Sequence, residues 1–411
     1  MNAYSTLNRG DAVILSGLIE SLRAAGAQHI NVAVPSGPGE AERRLALGAD
    51  EVVPMPLDIL AGPQIIRRFF PVHALWICWR LALITVCAVL RPVWLAALRA
   101  YQEADLVVST GGAYLGGPRP GINILTAYQV VLARVLGREC VIAPVTIKPM
   151  SRPVRAIVST ALRGARVFGR DEETVQRLRR LGVQARLACD VAFRSPVRSR
   201  ARRRLESERH AFVVALAPRK FGWDAEAYEA RADIAAATAQ TLTTLVRDHG
   251  ARVLVIAQSN ANGLENDLDA IDEVMQILPA DVRSAAELLP PAGDLDEAVA
   301  QYARANVVYA YRLHATILAL LAGTPSAVID YEPKVRGVLG MLTLGHWVLT
   351  PEEASNATTV VDRLVRLTAA TESDHIADAL AIAERMNIPF ERELVRRLGS
   401  GGLTPLRGAG R

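Results

Sequence analysis

The chain has 411 residues, a hydrophobic fraction of 51% and a formal net charge of +5. This length exceeds what one hydrophobic core normally fills, so we expect two domains, and the apolar fraction is sufficient for both. The basic residues are scattered rather than gathered with aromatic residues, which argues against a nucleic-acid partner.

The four cysteines, Cys78, Cys87, Cys140 and Cys189, contain no Cys-x-x-Cys pair. No signal-peptide pattern precedes the first globular-looking segment, so we expect a reducing, cytoplasmic compartment. The spacing of cysteine and histidine indicates no zinc site, and we expect neither a metal nor a resident cofactor.

The first half alternates between strand and helix patterns, which predicts a doubly wound α/β domain. The strand patterns lie at 30–34, 51–53, 105–109, 140–147, 166–169 and 185–188, and the helix patterns lie after Asp11 and at 122–136. Only a stub precedes the turn at Asn8. Either the first strand is very short or the true start lies upstream.

Residues 69–98 form the most hydrophobic part of the chain, but Arg80 and Arg91 shorten the apolar run below the length of a membrane span. The tryptophans Trp76, Trp79 and Trp94 beside arginines resemble a helix pair lying on a bilayer surface. A buried or dimer-forming helical insertion at 67–99 is the alternative, and only the dimer-forming case would make the protein a homo-oligomer.

An arginine-rich stretch separates the halves. We predict an N-terminal Rossmann-like domain at 1–194, a linker at 195–210, a second Rossmann-like domain at 211–370, and C-terminal helices and tail at 371–411. The second half has strand patterns at 211–217 and 251–257 and helix patterns at about 224–249 and 294–305. Two such halves should face a cleft.

The most informative segment runs from the strand Val307–Ala310 through Arg312 and His314 into a helix and a second strand. Strand, helix and strand at this spacing predict a parallel βαβ unit. Such units bind ligands beyond the carboxyl ends of their strands. An anion there would meet a guanidinium, an imidazole and a helix N-terminus, so we predict a phosphate or carboxylate site.

Other candidates also follow strand patterns. Lys220, Lys334 and Arg170 are predicted to face the ligand, although the lysines could instead be solvated loop residues. Gly111 and Gly112 offer either backbone amides for a ligand or a tight turn. Asn8 and Asp11 lie at the start of a helix and are predicted to face the same edge of the cleft. The alternative for Asp11 is that it only caps this helix.

Several motifs in this order resemble the polysaccharide pyruvyl transferase family. They are Asn8-x-Gly10-Asp11, Asp105 to Gly112, Arg170-Asp171-Glu172, Cys189 to Phe193, and Tyr311-Arg312-Leu313-His314 with Tyr331-x-x-Lys334. The resemblance covers about residues 5–345 and implies a GT-B-like fold. It also implies phosphoenolpyruvate as the donor, and a sugar diol, free or lipid-linked, that becomes a pyruvate ketal in cell-surface glycan synthesis.

On this resemblance, His314 is the acid or base and Arg312 both clamps the donor and takes part in catalysis. The donor would also meet Arg170, Lys220, Lys334, Gly111 and Gly112, and the acceptor would meet Asn8, Asp11 and Asp190. A lipid-linked acceptor would place the enzyme at the inner face of the plasma membrane. The alternatives are a GT-B glycosyltransferase with a nucleotide-sugar donor and a membrane-associated scaffold without catalysis.

Overall fold

The computed structural model describes residues 6–34, 39–55, 96–117, 120–197, 212–221, 227–259 and 266–399, together with Trp79, Ala82 and Val86. The described residues form two compact units. The first unit contains those of Leu15–Arg194 and Asn387–Arg411, and the second contains those of Ser5–Ile14 and Ser195–Met386.

Several predicted segments lie mostly or wholly outside the described residues. They are the insertion at 67–99, the linker at 195–210 and the tail from 400 onward. Among the described helices, none combines the length and apolarity needed to cross a membrane.

The elements from the N-terminus to Arg194 follow the predicted alternation. The helices are α1 (Arg9–Ala24), α2 (Glu40–Ala46), α3 (Ala96–Glu103), α4 (Pro120–Val135), α5 (Arg152–Leu162) and α6 (Glu172–Arg180). The strands are β1 (Asn31–Val34), β2 (Glu51–Pro54), β3 (Leu106–Ser109), β4 (Gly112–Leu115), β5 (Glu139–Ile147), β6 (Arg166–Gly169) and β7 (Ala185–Leu187).

Strand β5 is the centre of the first unit. It is buried from its second residue onward, as a strand covered on both faces should be. Strands β3, β5, β6 and β7 are neighbours in that order, all parallel, while β4 also pairs with β5 and β1 pairs with β2. The predicted parallel α/β architecture of this half is therefore confirmed.

The second half repeats the alternation. The helices are α7 (Arg231–His249), α8 (Leu268–Ile277), α9 (Ala280–Ala285), α10 (Leu295–Ala303), α11 (Leu313–Leu321), α12 (Pro333–Met341), α13 (Pro351–Ala354), α14 (Ala357–Arg366) and α15 (Glu372–Gly399). The strands are β8 (Val213–Ala217), β9 (Arg252–Val255), β10 (Ala286–Leu288), β11 (Val307–Ala310), β12 (Ser326–Ile329) and β13 (Val348–Leu349).

The second unit has one parallel sheet with the strand order β10, β9, β8, β11, β12, β13. The predicted βαβ unit is present, because β11 pairs in parallel with β12 and α11 connects them. Strands β8, β11 and β12 are buried along their whole length. These continuous Val, Ile and Ala runs are typical of strands covered by helices on both faces.

Two terminal segments belong to units that the sequence pattern does not indicate. Ser5–Ile14 groups with the second unit, because Asn8 forms an antiparallel bridge with Ser259 and the Arg9 amide donates to the Gln258 carbonyl at 3.1 Å. Helix α15 is continuous, yet its residues from Asn387 onward group with the first unit. There the Phe390 ring meets Phe168 edge-on at 5.3 Å.

We expect Phe390→Ala to lower the free energy of unfolding by about 3–5 kcal/mol, because it removes a fully buried aromatic ring from the core of the first unit. Val395→Ala is the matched control on the same helix, since Val395 is 51% exposed. Urea unfolding followed by circular dichroism measures both. Equal effects of the two substitutions would contradict the packing of α15 described here.

Candidate functional site

The carboxyl ends of four neighbouring strands in the second unit lie along one edge of the sheet. Because β9, β8, β11 and β12 are parallel neighbours, the residues that follow them emerge side by side. These residues are Gln258 and Ser259 after β9, Arg219 after β8, Arg312 and His314 after β11, and Tyr331 and Lys334 after β12. We refer to them as the edge cluster.

Arg312 is the N-cap residue of α11 and forms a buried ion pair with Asp267. Its Nε and Nη2 groups donate to Oδ1 of Asp267 at 3.1 and 2.7 Å. The other carboxylate oxygen accepts the Ser259 amide at 2.9 Å. Burial raises the pKa of Asp267, and the Arg312 guanidinium acts against that rise. Asp267 therefore fixes the orientation of the arginine that the sequence predicts as the donor clamp.

His314 packs directly against the backbone of Gly10 in the first turn of α1. A Cβ atom at Gly10 would lie 2.7 Å from Nδ1 of His314, so only glycine fits there. The turn itself is held by the Asn8 side chain, whose Oδ1 accepts the Gly10 amide at 3.0 Å. The imidazole thus lies where the N-termini of α1 and α11 come together, and both helix dipoles favour an anion beside it.

Tyr331 lies close to two cations. The Arg219 guanidinium carbon is 4.7 Å from the centre of its ring, and Nζ of Lys334 is 5.0 Å away. Burial raises the pKa of Tyr331, but the charges of Lys334 and Arg219 outweigh burial and lower it overall. Phe221 extends the cluster by stacking on Tyr311 at 5.5 Å. Two cations therefore lie against one tyrosine ring in this part of the edge cluster.

The three lysine and arginine side chains nearest Tyr331 and β8 differ in how their charge is compensated. Lys334 pairs with Glu332 at 2.9 Å. Lys220 pairs with Asp269 at 3.0 Å in an exposed pair. Arg219 is half-buried, and no acidic side chain of the described ranges forms an ion pair with it. Of these three cations, Arg219 is the one without an ion-pair partner in the described ranges, although the sequence directs attention to its neighbour Lys220.

Gln258 is a second residue that the sequence does not single out. It is 3% exposed, and neither its side-chain oxygen nor its side-chain nitrogen has a hydrogen-bond partner within the described part of the chain. A buried amide without partners costs free energy. A ligand hydroxyl could both donate to this amide and accept from it.

In the first unit, Arg170 and Asp190 form a fully buried ion pair. Nε of Arg170 donates to Thr146 at 2.8 Å, and Oδ1 of Asp190 accepts the Ala192 amide at 3.0 Å. The sequence predicts that Arg170 faces a ligand, but its side chain is 0% exposed. Its Nη2 group nevertheless has no hydrogen-bond partner among the described residues, so one donor of this guanidinium is unsatisfied.

The remaining predicted site residues have local structural roles. Asn8 caps α1, and Asp11 lies half-buried in the first turn. Gly111 and Gly112 do not form a loop cradle, because β4 starts at Gly112 and pairs with β5 with a shift of register. Gly112 has φ of 125°, which glycine adopts readily, and this allows the chain to bend between β3 and β4.

Comparison with known proteins agrees with this architecture. A family model described as polysaccharide pyruvyl transferase matches residues 8–333. A search of curated proteins finds no match. Among solved structures, HepE of Anabaena in complex with UDP aligns with a TM-score of 0.57 and 12% identity, covering 94% of this chain and 96% of that chain.

Two further solved structures align over a similar length. MnaA of S. aureus with UDP has a TM-score of 0.55 and 12% identity, covering 94% of this chain and 95% of that one. The UDP-GlcNAc 2-epimerase from Neisseria meningitidis, bound to UDP-GlcNAc, has a TM-score of 0.54 and 11% identity, covering 94% and 96%. The chain therefore has the GT-B-like fold that its sequence predicts.

We expect Asp267→Asn to destabilise the protein by about 3–5 kcal/mol, because it leaves the buried Arg312 charge without its carboxylate. Asp269→Asn is the matched control, because it removes only an exposed partner of Lys220 and should leave the urea midpoint unchanged. An Asp267→Asn variant as stable as the parent would show that the buried pair does not hold this edge together.

Proposed function

Because the chain belongs to the polysaccharide pyruvyl transferase family, we propose that it transfers the pyruvate group of phosphoenolpyruvate to a sugar diol and forms a pyruvate ketal. The observation that supports this most directly is the edge cluster. It gathers cations, an imidazole and two helix N-termini at one end of a parallel sheet. A small donor with both a phosphate and a carboxylate matches such a site.

The charges suggest how the donor is held. Arg219 has no acidic partner among the described residues, and it shares the Tyr331 ring with Lys334, so the two cations can together receive one anionic group. Arg312 and His314, with the backbone amides that begin α11, can receive the other. In this arrangement, Lys220 would contact the donor from the exposed side of the site. Arg170, with its unsatisfied Nη2, remains a donor-binding proposal for the first unit.

His314 is the proposed acid and base. In the reaction, a proton adds to the methylene carbon of the donor, and the first acceptor hydroxyl bonds to the neighbouring carbon. The second hydroxyl then displaces phosphate. Of the two hydroxyl protons, one balances the proton added to carbon and the other leaves with phosphate. An imidazole can accept a hydroxyl proton and deliver it to carbon within one cycle.

The acceptor is proposed to be a saccharide, because the family acts in polysaccharide biosynthesis. Gln258 offers a buried amide for a sugar hydroxyl, and Asp11 offers a half-buried carboxylate one residue after Gly10. Asn8 and Asp190 remain proposals for the same role. Lipid linkage and contact with the inner face of the plasma membrane depend on residues 69–98, of which the structure describes only a few, and stay predictions.

The test is a donor panel. We expect phosphoenolpyruvate to raise the melting temperature and a UDP-sugar to leave it unchanged, because only a ligand that binds the folded state stabilises it. With a panel of saccharide diols, we expect release of phosphate and a pyruvate ketal adduct detected by mass spectrometry. Stabilisation by the UDP-sugar alone would favour a glycosyltransferase and contradict the proposal.

We expect His314→Ala to abolish phosphate release while phosphoenolpyruvate still raises the melting temperature, because the imidazole moves protons and the cations bind the donor. His314→Gln tests the same role with a polar side chain of similar reach. A variant that retains full turnover would exclude His314 from proton transfer.

We expect Arg219→Gln to raise the KM for phosphoenolpyruvate by about 10-fold to 100-fold, the loss expected for one hydrogen bond to a charged group. Lys220→Gln is the matched control on the neighbouring residue and should change the KM little, because Lys220 is exposed and paired with Asp269. A larger increase in KM for Lys220→Gln than for Arg219→Gln would identify Lys220 as the main donor-binding residue of the two, as the sequence predicts.

A further inference from the structure

His346, Glu372 and His375 form a cluster in the second unit that takes no part in the proposed reaction. His346 lies in the single turn of 3₁₀ helix at Gly345–Trp347, which follows α12. Glu372 is the first residue of α15, and His375 follows one helical turn later on the same face. Side chains that can bind a metal ion therefore come together from two separate elements.

Two of the three separations between ligand atoms match those around a tetrahedral ion. Nε2 of His346 and Nδ1 of His375 each lie 3.3 Å from Oε1 of Glu372. One ligand atom from each of the three residues lies within 4.8 Å of the others. Ligands bound to zinc at about 2.0–2.1 Å in tetrahedral geometry are about 3.3 Å apart. By contrast, direct N–H···O hydrogen bonds are most often about 2.9–3.0 Å long.

A hydrogen bond from a buried side chain holds the Glu372 carboxylate in place. Its Oε2 accepts the indole N–H of Trp347 at 2.8 Å, and Trp347 is fully buried. The Glu372 side chain is itself only 9% exposed. No lysine or arginine of the described ranges pairs with this carboxylate, so its ionic partners there are the two imidazoles. A hydrogen bond from the next shell that orients a ligand is a recurring feature of metal sites.

Two imidazoles and one carboxylate are a ligand set that suits zinc. Magnesium and calcium prefer oxygen ligands throughout, so they fit this set poorly. The histidine side chains are 43% and 47% exposed, which leaves room for water as the fourth ligand. The N-terminus of α15 disfavours a cation, but this effect is weak at a partly exposed site.

The turn that carries His346 is already ordered. The Arg363 guanidinium donates to the carbonyl of His346 at 2.5 Å and to that of Val348 at 3.0 Å. A metal bound here would tie this turn to the start of α15. It would connect two elements that are 26 positions apart in sequence.

We propose that His346, Glu372 and His375 form a zinc-binding site that fastens the Gly345–Trp347 turn to the start of α15. The site uses no residue of the edge cluster, so it does not depend on the proposed function. It also departs from the expectation of no metal. The spacing of cysteine and histidine in the sequence could not indicate this site, because one ligand is a glutamate and His346 lies in a different element from the other two ligands.

The experiment uses the full chain without an affinity tag, treated with chelator and then given Zn²⁺ alone. We expect one zinc per chain by elemental analysis, and a visible Co²⁺ spectrum typical of tetrahedral nitrogen and oxygen ligands. His346→Ala and His375→Ala each remove a ligand and should weaken zinc binding by at least the roughly 10-fold to 100-fold loss that follows removal of a residue that only orients a ligand. Both side chains are partly exposed, so both variants should fold.

His249→Ala is the control, because it removes an exposed histidine from the end of α7. It should bind zinc as the parent chain does, and Mg²⁺ should not compete. The proposal is overturned if the parent chain binds no zinc, or if His346→Ala and His375→Ala bind it as tightly as the parent.

Discussion

The buried ion pair between Arg312 and Asp267 is the interaction on which the edge cluster depends. Asp267 also accepts the Ser259 amide, and Ser259 forms the antiparallel bridge to Asn8. Asn8 then caps the helix turn whose Gly10 touches His314, two residues from Arg312. A closed chain of contacts thus runs from the arginine back to the imidazole. Because Arg312 and His314 are two residues apart at the start of α11, these contacts set the position of His314 and the start of that helix together.

The cations along this edge differ in how far their charge is already compensated. Arg312, Lys334 and Lys220 each have a carboxylate partner, whereas Arg219 has none within the described ranges. A carboxylate partner offsets part of a cation's attraction for an anion, so Arg312 and Lys334 attract an anion less strongly than Arg219 does. An anionic ligand is the simplest complement to such a surface.

Much of the fold was predictable because buried parallel strands appear in the sequence as short runs of mostly apolar residues. The runs at Val307–Ala310 and Arg166–Gly169 are strands with the predicted bounds, and α11 lies between two parallel strands as expected. The candidate site was predicted only in part. Arg312 and His314 were found because they follow a strand, but Gln258 and Asp267 leave no local pattern. Their importance comes from burial and from partners far away in sequence.

The sequence by itself determined the alternation of strands and helices, the parallel βαβ unit and the place of Arg312 and His314 at a strand end. These features depend on apolar periodicity and on residues close in the chain. Only the tertiary structure decided that Arg312 pairs with Asp267, that Arg170 is buried against Asp190, and that Gly10 meets His314. The physical reason is that packing, rather than distance along the sequence, sets which side chains are neighbours across a sheet edge. Those neighbours decide how much of a side chain's charge is already compensated.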